Sequence, residues 1–79
     1  MSLSRGQRLA AWRRHRGKTQ IQVAEHVGVG RSAIANWELD KAHPSANHLD
    51  AAIEFLAGDH ATFYGDIPDP VVAADEGAA

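Results

Sequence analysis

Arg31, Ser32 and Asn36 place a guanidinium, a hydroxyl and a carboxamide within two helical turns of one another. On an α-helix over residues 31–38, at ~100° per residue, Arg31, Ala35, Ser32 and Asn36 fall at about 0°, 40°, 100° and 140°. Ala33, Trp37 and Ile34 fall at roughly 200°, 240° and 300°, an apolar sector on the other side. The polar sector can read base edges: Arg pairs bidentately with guanine, Asn with adenine, Ser with either, and the Ala35 methyl can meet a thymine methyl. An amphipathic helix with a merely solvated outer face has the same pattern. The elements around this helix decide between the two.

The preceding segment opens with Thr19-x-x-Gln22, a capping-box pattern in which side chains satisfy the free N–H groups of a helix start. Val23, Ala24 and Val27 then share one face, and Ala24 is small enough for close helix approach. Gly28 stands where a left-handed helix end needs a residue without Cβ. Val29 is the apolar plug of the corner, and Gly30 is an acceptable N-cap for the next helix. Two helices joined by so short a glycine-containing turn form a helix-turn-helix unit.

Three stretches in register, RLAAWRRHRG, TQIQVAEHVGVGRSAIANWE and KAHPSANHLDAAIEFLAG, resemble the Cro/repressor-like helix-turn-helix proteins, also called the xenobiotic-response-element family. The resemblance runs from Arg5 to about Tyr64. It implies that Arg13 pairs with Glu38 and locks the third helix against the first. Helical geometry agrees, because Glu38 falls at about 340°, beside Ile34 and turned toward the scaffold. The resemblance also implies that Gln20, at the start of the second helix, contacts the DNA backbone, where a helix N-terminus favours anionic oxygen. Lys41 and His43 sit where the family's loop after the recognition helix meets sugar-phosphate. Lys18 departs from the pattern, which usually has an apolar residue before Thr-Gln; its ammonium either loosens that corner or reaches a phosphate. Ile21 is apolar where the family is usually polar, and is read as a small partner contact or an inert exception.

The first helix starts at about Arg5 behind a second capping box, Ser4-x-x-Gln7, and ends near Arg16–Gly17. Leu9 and Trp12 form its inner face, while Ala10 and Ala11 serve propensity more than packing. Residues 39–44 read as a loop closed by Pro44, with Ser45 as N-cap of a fourth helix over about 46–57. Leu49, Ala52, Ile53 and Leu56 have core spacing there. Asp59 can cap a last short turn through Tyr64, anchored by Phe63 and stopped by Gly65.

The chain has 79 residues and a net charge of −2, which as an average argues against nucleic acid. The average hides a segregation. Every Lys and Arg lies between Arg5 and Lys41, opposed there by Glu25, Glu38 and Asp40. Beyond Lys41 come only acids: Asp50, Glu54, Asp59, Asp66, Asp69, Asp75 and Glu76. A basic front and an acidic back suit a phosphate-facing surface, although Arg13, Arg14 and Arg16 also complement the dipole at a helix end.

Without cysteine there is neither a disulfide nor a thiolate metal site. His15, His26, His43, His48 and His60 lie on separate elements without metal-ligand spacing, so no metal or other cofactor is expected. Gly28-x-Gly30 lacks the Lys-Ser/Thr sequel of a phosphate loop, and no serine has a nucleophile-elbow setting. So short a chain is not expected to enclose a substrate cleft as well as a core, and we expect no enzyme. No apolar run approaches the ~20 residues that span a bilayer, and no basic-then-apolar leader opens the chain, which points to the cytoplasm.

The expected architecture is all-α, four helices and a short fifth in a lambda-repressor-like arrangement. Residues 1–65 form the DNA-binding domain and 66–79 a loose acidic tail. Arg31, Ser32 and Asn36 would select sequence, while Gln20, Lys18, Arg16, Lys41 and His43 set register on the phosphates. Double-stranded DNA is the expected partner, and such modules usually bind it as homodimers on half-sites about one turn apart. A bacterial or phage repressor is the leading reading, with no room for an effector domain. An antitoxin repressing its own operon while binding a toxin, and an interaction adaptor that has lost DNA binding, are the rivals. Val71 and Val72 offer a dimer seam, and the acidic tail a competitor for the basic face or an inert extension.

Overall fold

The computed structural model describes residues 3–67. The segment after residue 67, including most of the expected tail and the Val71–Val72 seam, lies outside the described residues. Five helices follow one another without a strand among the described residues: α1 (Arg5–His15), α2 (Gln20–Val27), α3 (Arg31–Glu38), α4 (Ala46–Leu56) and α5 (His60–Tyr64). This is the all-α, lambda-repressor-like helix-turn-helix arrangement.

Local chemistry sets each start. Ser4 accepts from the Gln7 amide while the Gln7 side chain accepts from the Ser4 amide, and Thr19 and Gln22 repeat the exchange at α2. Ser45 and Asp59 cap α4 and α5 through the amides of His48 and Thr62. Gly28 ends α2 in the left-handed region at φ 93°, with its own amide and that of Val29 both donating to Ala24 O. Both bonds satisfy the Ala24 carbonyl, one that the end of the helix would otherwise leave bare.

Leu9 and Trp12 of α1, Val23 and Ala24 of α2, Ile34 and Trp37 of α3, and Ala52, Ile53 and Leu56 of α4 bury together around Phe63 of α5. Two details differ from the sequence reading. Ala10 is buried, so its small size serves packing, and Leu49 is only half-buried at the edge of the core.

A further contact joins α1 to α3. A Cβ on Gly6 would lie 2.2 Å from Trp37 O and 2.7 Å from Asp40 Oδ1, so only glycine permits this approach. Asp40 itself is left-handed at φ 59°. Its carboxylate accepts from the Gly6 amide at 3.1 Å and from the Ser4 hydroxyl at 2.5 Å. The first turn of α1 has no acid of its own; Asp40, arriving from the end of α3, supplies negative charge at that positive helix end.

Candidate nucleic-acid interface

Helix α3 is seated from below. Ile34 and Trp37 are buried, and Glu38 joins them. An ionised group at this depth needs a partner. Arg13 provides it: Nε donates to Glu38 Oε2 at 2.6 Å and Nη2 to Oε1 at 3.1 Å, with the two side chains 3% and 7% exposed. The remaining Arg13 nitrogen, Nη1, donates to Lys18 O at 3.1 Å, closing the corner between α1 and α2.

The polar network continues outward. Gln20 Nε2 donates to Glu38 Oε1 at 3.0 Å, and Arg31 Nη1 donates to Gln20 Oε1 at 2.7 Å. Gln20 therefore bonds within the protein, at the junction between the buried ion pair and the first residue of α3. Ser32 and Asn36 are exposed beside Arg31, and Ala35 is half-exposed. The Asn36 carbonyl accepts from the Lys41 amide at 2.9 Å, so the loop that carries Lys41 folds back onto α3. Lys41 and His43 are both exposed on it.

The structure places two of the cations expected at phosphates elsewhere. Arg16 Nε donates to Leu56 O at 2.5 Å, and the guanidinium lies 5.9 Å from the Trp12 ring centroid. It complements the C-terminal end of α4, where bare carbonyls carry partial negative charge. The Lys18 ammonium lies 5.4 Å from the centroid of Phe55, whose ring also stacks on His26 at 4.1 Å. Lys18 thus covers an aromatic face, an energetically favourable place for an ammonium.

Arg8, which sequence reasoning passed over, does for α5 what Arg16 does for α4. Its Nη1 donates to Phe63 O and Gly65 O, both at 2.9 Å, beside the bond from Trp12 Nε1 to Phe63 O. The available signal was spacing: Arg8, Trp12 and Arg16 recur every four residues, one stripe along α1. Gly6 and Asp40 were missed as well. The hint for Asp40 was its type, since Asp tolerates the left-handed conformation better than most residues.

Among the described residues, no group of His, Asp and Glu could hold a metal ion, and no helix is long and apolar enough to cross a membrane.

Two short helices at a glycine corner, the second held by a buried ion pair with a polar row outside, define a helix-turn-helix protein. The helix-turn-helix family matches residues 9–63, and the chain belongs to it, in its Cro/repressor-like form. It is similar to the immunity repressor protein of Bacillus phage phi105, with 44% identity over 46 residues, 58% of this chain. The matched stretch spans 32% of that relative. No solved structure matches the chain.

Proposed function

We propose that the protein is a repressor that binds double-stranded DNA sequence-specifically by laying α3 in the major groove. Arg31, Ser32 and Asn36 hydrogen-bond base edges, and the Ala35 methyl packs beside them. Lys41 and His43 approach the sugar-phosphate backbone from the loop after α3, and Gln20 meets it at the N-terminus of α2. Residues 1–65 carry this activity and 66–79 form an acidic extension. Two copies bind a twofold site with half-sites about one helical turn apart. The protein acts in the cytoplasm of a bacterium, from a chromosomal or a phage gene, without enzymatic activity.

The observation that carries this reading is the two-sidedness of α3. Ile34, Trp37 and Glu38 are buried, and Arg31, Ser32 and Asn36 are exposed. The similarity to a phage immunity repressor supports repression as the outcome of binding. Selection of bound oligonucleotides from a random duplex pool tests it. A symmetric enriched motif is expected, fixing operator and half-site spacing together. Recovery of sequences with no common motif would leave a non-specific binder or an adaptor.

A further inference from the structure

We infer that Leu39 is a specificity-determining residue: its exposed side chain meets the C5 methyl of one thymine in each half-site. This rests on the base-reading role proposed for α3. It adds to that reading an apolar contact, made by the residue just past the end of the helix.

Leu39 still follows the helical path. Its amide donates to Ala35 O at 3.1 Å, and its backbone stands at φ −93° and ψ 4°. At ~100° per residue from Arg31, it falls at about 80°, on the stripe of Arg31 and Ala35 and beside Ser32. The chain turns away only at Asp40, left-handed at φ 59° and held by the Gly6 amide and the Ser4 hydroxyl. Leu39 is therefore the last member of the outward row. Of the large apolar side chains exposed among the described residues it is the most open, at 63%. A single exposed leucine is ordinary on a protein surface. Its place in a row of polar groups facing DNA is what gives this one a partner.

The chemistry of an isobutyl group narrows that partner. It has no donor and no acceptor, so it cannot bond a phosphate, and the apolar group that a base presents in the major groove is the thymine methyl. A second copy of the chain is a poorer occupant. A twofold contact sets a patch against itself, which here would oppose Arg31 and the exposed Lys41 to the same cations of the other copy. Duplex DNA instead supplies anions to the cations and a methyl to the leucine. At 1.5 Å per residue, Leu39 lies about 12 Å along the axis from Arg31. With base pairs about 3.4 Å apart, its thymine should lie about three to four pairs from the one that Arg31 reads.

The test uses the full chain and the operator from the random-pool selection, with each thymine replaced in turn by deoxyuridine, which pairs identically but lacks the methyl. Proteins are the wild type, Leu39→Ala and Arg31→Ala, with thermal unfolding to verify that each folds. At one thymine of each half-site, deoxyuridine is expected to weaken wild-type binding about fourfold, the effect of leaving one carbon group unburied. Leu39→Ala should bind the two duplexes equally, with the salt dependence of the wild type, since no charge is lost. That coupling also separates this thymine from one beside Ala35, where deoxyuridine would weaken both proteins alike. If Leu39→Ala keeps every thymine preference of the wild type, Leu39 reads no methyl and the inference is wrong, whether or not overall affinity falls. A change confined to the monomer–dimer equilibrium of the free protein, read by sedimentation, would assign Leu39 to a contact between copies and overturn it too. In both cases a symmetric motif that Arg31→Ala relaxes leaves the base-reading proposal standing. A pool without a common motif removes both.

Discussion

Asn36 and the Arg13–Glu38 pair are the residues where one substitution says most, because one faces outward and the other inward. Asn36 is exposed, and its side chain supports nothing in the core. Asn36→Ala should therefore leave thermal unfolding unchanged while relaxing specificity at one base pair, at a cost of ~1–3 kcal/mol. Competition binding against operators substituted at that pair measures it; equal loss on all sequences would remove Asn36 from base reading. Glu38 behaves in the opposite way. Glu38→Gln leaves Arg13 buried with its charge uncompensated, and one-sided removal of this kind costs about 3–5 kcal/mol. Replacing both partners with apolar residues of similar volume should recover much of that stability, since no buried charge then remains. Denaturant unfolding of the single and double variants decides whether the pair acts as a unit.

At the level of helices, starts and stops were legible in the sequence because they are local. Ser4–Gln7, Thr19–Gln22, Ser45 and Asp59 act within three residues of themselves, and a motif of that span is visible in a string. The joints between helices were not legible. Gly6 to Asp40, Arg8 to Phe63 and Arg16 to Leu56 connect positions 34 to 55 residues apart, and which helix end an arginine reaches depends on how the helices cross. Arg13 and Glu38 were paired from the family resemblance, not from any local rule. Nothing in the string shows that Glu38 and Arg31 converge on Gln20. Two predictions belong to this scale. Gly6→Ala forces a Cβ against backbone oxygen and should destabilise the protein markedly, whereas Asp40→Gly relieves a left-handed residue but removes the acid that caps α1. Because the two effects of Asp40→Gly oppose each other, its unfolding midpoint should move far less than that of Gly6→Ala. The second concerns pH. Hydrogen bonds from the Thr62 amide and hydroxyl hold the Asp59 carboxyl below its ordinary range. A lowered folded-state pKa stabilises above the unfolded value and loses that contribution as pH falls through the folded one. α5 should therefore fray below about pH 4, where carboxyls begin to protonate. Asp59→Asn, which still caps but does not titrate, should abolish the dependence; amide exchange at Thr62 and Phe63 reads it directly.

For the whole molecule, the question is how many cations face outward. Every Lys and Arg lies between Arg5 and Lys41, which in the sequence reads as a broad basic front. The structure divides that front. Arg8, Arg13 and Arg16 each hold a carbonyl or a carboxylate inside the fold. Arg5, Arg14, Lys18, Arg31 and Lys41 remain, with Lys18 over Phe55 and Arg31 on Gln20. Each phosphate neutralised contributes about −0.9 to the slope of log affinity against log salt. Even with every remaining cation engaged, the slope should be no steeper than about −4.5 per protomer. Two substitutions separate the classes. Lys41→Met should make the slope shallower by about one and leave unfolding unchanged, as expected for a phosphate contact. Arg16→Met should do the reverse: it removes a charged cap from α4, worth on the order of 1 kcal/mol, without changing the slope. A slope that flattens equally in both would mean that Arg16 releases Leu56 on DNA and serves the interface after all. Affinity would then be coupled to the hold of α1 on α4, and the core and the recognition surface could no longer be treated as separate.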